Sequence, residues 1–183
     1  CMAVNLSAQG LMDMELPDTV AGLLASNDVP PDRLVMEITE STIMMDKDRA
    51  LQILTRLADM GVRLSIDDFG TGYSSLAYLS KMPVKEIKID KSFVMDMENN
   101  KSNSVIVHAT IELGHNLGLE VVGEGVENAE VLGILGRLNC DSVQGFHLLR
   151  PVDGPAFDEW LSKAQEKGAL QIKDGKICLI PAA

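Results

Sequence analysis

Aromatic side chains are scarce in this 183-residue sequence: four Phe, two Tyr and one Trp, 4% of the chain. A core built from it must therefore be aliphatic, packed from Leu, Ile, Val, Met and Ala. Positive charge is also short. Sixteen Lys and Arg face 27 Asp and Glu, a formal net charge of −11. That balance excludes general electrostatic binding to a nucleic acid polymer or to an anionic membrane surface. An anionic ligand would need local cations, from lysine, arginine or metal. Cysteine is limited to Cys1, Cys140 and Cys178. The odd count and the lack of metal-ligand spacing point to a reducing compartment, the cytoplasm. No apolar run approaches the ~18–20 residues that span a bilayer, and no signal-peptide pattern is present. Low-complexity segments and obvious linkers are missing too. The first residue is Cys rather than Met and opens into an apolar run, as expected of a chain that starts inside a domain.

What remains is alternation. Short apolar runs at 2–7, 34–40, 62–68, 85–90, 119–125 and 141–146 are separated by segments with apolar residues at helical spacing, such as 48–61, 104–118 and 128–138. Gly61 and Gly118 stand where helix C-caps belong. The pattern over 153–168 predicts a closing amphipathic helix. Strand-helix alternation implies βαβ units and a parallel sheet. In the tail, Asp174-Gly175 between apolar flanks predicts a β-hairpin.

Each apolar run stops at polar groups: Asn5; Glu37 and Glu40; Asp67 and Asp68; Lys88 and Asp90; Glu124 and Glu127; Gln144. In an α/β barrel all strand C-termini meet on one catalytic face. An open doubly wound sheet follows the same rule at its switch point. Spacing favours the barrel. A full (β/α)8 barrel takes about 250 residues, roughly 31 per unit, so this chain holds about six of eight units. An acid at a strand end also serves as a helix cap, but five of six strands ending in an acid or Asn on one face point to a site. Lys88 alternates with Ile87 and Ile89 and so faces the interior beside Asp90, where an unpaired ammonium is costly. His108 and His115 fall within a helix pattern and read as surface or packing residues; the methionines read as core filler.

Clustered carboxylates with an amide oxygen suit hard divalent cations, Mg²⁺ or Mn²⁺. Adjacent Asp67 and Asp68 make chemical sense if one bridges two cations and the other binds only the second. Two cations ~3.5–4 Å apart clamp the oxygens of a phosphoryl transfer. A metal-assisted phosphodiesterase follows from this chemistry; a barrel enzyme that stabilises an enolate on Mg²⁺ uses a similar ring of acids and stays open at this point.

The motifs "VNLS" (4–7), "MEITES" (36–41), "DDFGTGYSSL" (67–76), "IKIDKSFV" (87–94), "GEGVE" (123–127) and "VQGFHL" (143–148) resemble, in order, those of the EAL domain. Members of that family are bacterial phosphodiesterases that linearise cyclic di-GMP to pGpG. The resemblance covers about residues 2 to 162. It implies a (β/α)8 TIM-like barrel over 1–168, lacking its N-terminal strands, and a C-terminal extension over 169–183. It implies that Asn5, Glu37 and Asp67 ligate one cation and that Asp67, Asp68 and Glu124 hold another. Lys88 would contact the attacking water, with Glu127 and Gln144 in support. Glu40 would brace the loop of Phe69, Gly70, Thr71, Gly72, Tyr73, Ser74 and Ser75, which in the family lies at a homodimer interface and couples it to metal binding. Where Gly123 stands, the family usually has Ala. The Glu-Ala-Leu motif itself, whose Glu is a metal ligand, is absent and belongs on an earlier strand. The resemblance therefore implies a longer parent protein with a sensory or cyclase domain upstream, and a chain that alone is inactive. A degenerate EAL domain acting as a cyclic di-GMP sensor or protein-interaction module is the alternative.

Overall fold

The computed structural model describes residues 1–72, 76–166, 170–173 and 176–179. They divide into two compact units, Cys1–Leu148 and Leu149–Ala183. In the first, strand β1 (Met2–Asn5) leads through helices α1 (Ala8–Leu11) and α2 (Leu16–Ser26) to β2 (Leu34–Thr39). Then come α3 (Glu40–Ile43), α4 (Lys47–Asp59), β3 (Arg63–Phe69), α5 (Leu76–Leu79) and β4 (Glu86–Ile89). Helices α6 (Lys91–Val94) and α7 (Lys101–Asn116) precede β5 (Glu120–Glu124), followed by α8 (Ala129–Arg137) and β6 (Ser142–Gln144). All six strands pair in parallel and in chain order, β1 to β6. This is the expected six-unit α/β half-barrel, with β1 and β6 at its edges. The second unit holds α9 (Gly154–Glu166) and the expected hairpin, an antiparallel pair of β7 (Leu170–Lys173) and β8 (Lys176–Leu179). Its turn residues, Asp174 and Gly175, lie outside the described residues.

Local rules explain the elements. In α4, Ala50, Ile53, Leu54 and Leu57 fall at i, i+3, i+4 and i+7 and are fully buried, one apolar stripe against the sheet. Asp46 caps its start by accepting from the Arg49 amide at 3.2 Å. Its end is set by Gly61, at φ 95°, and α7 ends the same way at Gly118, φ 72°, both in the left-handed region that glycine enters freely. Asn100 caps α7 and Asn128 caps α8 through their side-chain oxygens. The first strand stops at Asn5, short of the expected residue 7, because Ser7 turns the chain by accepting from the Gly10 amide.

The apolar core lies between sheet and helices. Along β4 the side chains alternate: Ile87 and Ile89, both fully buried, join that core with Leu64, Ile66 and Val121. Glu86 and Lys88 fall on the other face of the strand, the inner face of the half-barrel. On that face Arg63 of β3 pairs with Glu120 of β5 at 3.1 Å, near the strands' N-termini. The polar ends described next occupy the opposite end.

Two glycines test the packing. A Cβ on Gly114 of α7 would stand 2.4 Å from Val121 Cγ2, whereas one on Gly22 of α2 would meet nothing within 4 Å. Gly114→Ala is expected to cost about 1–2 kcal/mol, the overpacking penalty less the gain in helix propensity. Gly22→Ala is expected to stabilise by roughly 0.5–1 kcal/mol. Urea unfolding of both variants checks the pair; equal shifts in the same direction would contradict this packing of α7 on the sheet.

Candidate active site at the strand C-termini

The centre of the inner face is Lys88, 4% exposed. Its ammonium reaches carboxylates from three other strands: Glu124 Oε1 of β5 at 2.6 Å, Glu37 Oε1 of β2 at 2.8 Å and Asp67 Oδ1 of β3 at 3.3 Å. Burial alone would push this ammonium toward neutrality, but its hydrogen bonds to Glu124 and Glu37, with the field of Asp67, lift it above its ordinary value. It stays charged. Glu124 moves up as well, because burial and the neighbouring Asp67 and Glu37 outweigh the attraction of Lys88.

Asp67 and Asp68 are consecutive, and in a regular strand they would point to opposite faces. They do not, because β3 bulges there. Ile66 pairs with Ile87 and Phe69 with Ile89, so two residues of β3 oppose the single Lys88 of β4. Asp68 takes up the extra length with φ 53°, a left-handed conformation that Asp adopts more readily than most residues. Its amide donates to Asp67 Oδ1 at 3.1 Å, and its carbonyl accepts from the Thr71 hydroxyl at 2.9 Å. As a result Asp67, Asp68 and Glu124 each offer one oxygen within 4.8 Å of the others. The Asp68 carboxyl is pushed up by burial and by Asp67 and Asp90. Burial would raise Asp90 also, but hydrogen bonds from the Ser92 hydroxyl and amide bring it below its usual value. Asp90 thus caps α6 and adds its negative charge beside Asp68.

The remaining expected residues take distinct places. Asn5 ends the exposed edge strand β1, directly beside Glu37 in the register. Gln144 ends β6 opposite Glu124, and Glu127 lies three residues beyond it. Both are exposed, and among the described residues no hydrogen bond or ion pair joins either side chain to the Lys88 cluster. Glu40 begins α3 and is 4% exposed, and neither carboxylate oxygen has a hydrogen-bond partner among the described residues. A Cβ on Gly72 would come within 2.8 Å of Glu40 Oε1, so the loop backbone lies directly on this acid. Phe69 is 6% exposed and packs in the core, and a Cβ on Gly70 would approach Phe93 at 3.1 Å. Thr71 and Gly72 are exposed; Tyr73, Ser74 and Ser75 lie outside the described residues. His108 and His115 are surface residues that pair with Glu112 at 3.6 Å and Asp141 at 2.9 Å.

The donor set fits a divalent cation. Every donor is oxygen, which suits Mg²⁺ or Mn²⁺ rather than a thiolate-loving metal, and the ammonium held by three carboxylates marks a place that favours positive charge. Two features escaped the sequence. One is the bulge, which no residue pattern announces. The other is the influence of Asp90 on Asp68, for which the i, i+2 spacing of Lys88 and Asp90 was the available sign. Lys88→Met would leave Glu37, Asp67 and Glu124 facing one another without a cation, at an expected cost of about 3 kcal/mol. Urea unfolding at pH 7 measures it; a loss under about 1 kcal/mol is the exposed-pair result and would mean that solvent already screens the cluster.

Comparison with known proteins agrees with this architecture. The family model described as EAL domain matches residues 1–151. Over 151 residues the chain is 46% identical to the bifunctional diguanylate cyclase/cyclic di-GMP phosphodiesterase MucR of Pseudomonas aeruginosa, covering 82% of this chain and 22% of MucR. It is 41% identical over 160 residues to the cyclic di-GMP phosphodiesterase NbdA of the same organism, covering 87% of this chain and 20% of NbdA. The chain therefore spans about a fifth of the length of these relatives. The solved structure of the PaMucR phosphodiesterase in complex with c-di-GMP superposes with a TM-score of 0.82 at 45% identity, covering 85% of this chain and 63% of that one. With a site of oxygen donors on the C-terminal ends of its strands and a match across 1–151, the chain belongs to the EAL domain family.

Proposed function

We propose that this chain is the larger part of the catalytic domain of a metal-dependent phosphodiesterase that hydrolyses cyclic di-GMP to linear pGpG. The observation that carries the reading is the bulge that turns Asp67 and Asp68 together toward Glu124. It sits in a family whose named relatives include cyclic di-GMP phosphodiesterases.

In this reading Asn5, Glu37 and Asp67 would hold one Mg²⁺ or Mn²⁺, and Asp67, Asp68 and Glu124 a second. Bound cations supply charge neutralisation for the phosphodiester and acidify a water. The chain's own residues do the rest. Lys88 stays protonated and brings fixed positive charge to the place where the transition state becomes more negative. Glu37, Asp67 and Glu124 hold that ammonium in place from three strands. Asp90 adds negative charge beside the Asp68 carboxyl. Gln144 and Glu127, exposed on the same end of the sheet, would orient the substrate and the water. The expectation that this chain alone is inactive belongs to the same reading, because one acid of the family's site lies on a strand outside it.

Asp67→Asn in the complete domain is expected to abolish turnover of cyclic di-GMP and leave the fold intact. The check is pGpG release together with the unfolding midpoint. Loss of a shared ligand in a two-cation site removes most of the rate, so activity within about tenfold of wild type would refute the assignment. The 183-residue chain should show background hydrolysis with saturating Mg²⁺ or Mn²⁺, and activity should return once the upstream strands are present. Binding of cyclic di-GMP by the complete domain without hydrolysis would instead identify a sensor.

The loop that follows Asp68 is the proposed homodimer contact. Its start is tied to the site through Thr71 and its backbone rests on Glu40, so a partner pressing on it would act on Asp68. Sedimentation of Tyr73→Ala in the complete domain is expected to show weaker association and reduced activity together. Wild-type association with wild-type activity would remove the loop from the interface.

A further inference from the structure

Ser65 lies on β3 between Arg63 and Asp67. Leu64 and Ile66 join the apolar core, so Arg63, Ser65 and Asp67 share the opposite, inner face of the strand. In the parallel ladder Ser65 stands beside Glu37 of β2 on one side and Glu86 of β4 on the other. Its side chain is fully buried. Its hydroxyl has no hydrogen-bond partner among the described residues. A buried hydroxyl left unpaired costs free energy that an alanine at the same place would not.

The acids around this hydroxyl are held unequally. Asp67 Oδ1 accepts from the Asp68 amide at 3.1 Å and lies 3.3 Å from the Lys88 ammonium. Glu37 has no such backbone donor. Among the described residues its carboxylate is held by Lys88 at 2.8 Å, and that ammonium is shared with Asp67 and Glu124. A carboxylate that gives an oxygen to a divalent cation needs a second group to fix its orientation. Loss of such a partner typically costs 10- to 100-fold in cation affinity.

We propose that Ser65 is a positioning residue for Glu37: its hydroxyl donates to the Glu37 carboxylate once that acid ligates a divalent cation. The inference rests on the functional reading above, in which Glu37 holds one of the two cations. A cation at Glu37 repels the Lys88 ammonium and loosens its grip on the acid. A hydroxyl carries no net charge, so it donates to a carboxylate beside a cation without that repulsion. Neighbouring strands lie about 4.8 Å apart, which puts a short side chain within reach of the acid next to it. Glu37 thereby exchanges a shared ammonium for a hydroxyl of its own, and Lys88 is left for the phosphodiester.

Mn²⁺ binding to the complete domain, without nucleotide, tests this, with the electron paramagnetic resonance signal of free Mn²⁺ as the readout. Ser65→Ala is expected to weaken the binding of one Mn²⁺ about 10- to 100-fold. In EDTA the same variant should keep or raise the unfolding midpoint, because the hydroxyl it removes has no partner in the fold. The two readings together separate positioning from packing. Mn²⁺ affinity within about threefold of wild type in Ser65→Ala would overturn the proposal. So would a lower midpoint in EDTA, which would mean that the hydroxyl serves the fold itself. Glu86→Gln, on the other side of Ser65, should leave Mn²⁺ affinity unchanged; a loss as large as that of Ser65→Ala would assign the hydroxyl to Glu86 and overturn the proposal as well. A wild type that binds no Mn²⁺ would overturn the functional reading itself, and this inference with it.

Discussion

The contact between Lys88 and three carboxylates organises the inner face of the sheet. It draws one acid from each of β2, β3 and β5 to a single ammonium on β4. Without that charge, Glu37, Asp67 and Glu124 would repel one another in a place where solvent screens them poorly. With it, four parallel strands are tied at the end where their chains must also diverge into helices. The field of the cluster reaches further. Asp68 and Glu124 both carry carboxyls shifted upward, by burial first and by neighbouring acids after it.

The bulge in β3 turns this electrostatic arrangement into a candidate catalytic one. A strand delivers one side chain to a face for every two residues. Two adjacent acids on one face therefore require the ladder to slip, and the slip sits at Asp67 and Asp68 opposite Lys88. The unusual backbone at Asp68 is held by its amide bond to Asp67 Oδ1 and by Thr71 on its carbonyl. Strain of this kind persists where the surroundings over-determine it. Here the buried Phe69 immediately downstream fixes the chain's return to register.

Much of this was legible in the sequence. Apolar runs ended by polar residues announced the strands and the face on which the acids gather. The alternation Ile87-Lys88-Ile89 told which way Lys88 points, and the structure agrees. Helices α4, α7 and α8 announced themselves through apolar stripes, and α4 and α7 also through Gly61 and Gly118 at their ends. Other features were not legible, for identifiable reasons. The four-residue helices α3 and α6 are too short to show a 3.6-residue period. The buried state of Glu40 depends on the loop backbone at Gly72 lying over it, a contact between segments about thirty positions apart. The bulge depends on the pairing of β3 with β4 rather than on any local propensity, and Asp68 carries no Gly or Asn signature for its conformation. Gly123, where the family usually carries Ala, has a local account: Leu135 already fills the space, 2.8 Å from where a Cβ would stand.

The division of each strand into two faces reaches into how such a protein changes over generations. On β4, Ile87 and Ile89 answer to the aliphatic core while Lys88 answers to the acids, and the two sets never share a residue. Exchanging a whole group of buried charges for apolar groups of like volume is often neutral or even stabilising. The scaffold can therefore outlive its chemistry. Descendants of an enzyme built this way can keep the sheet, its helices and a ligand-sized face while the acids drift, so hydrolysis and recognition are separable inheritances written on alternate letters of the same strand.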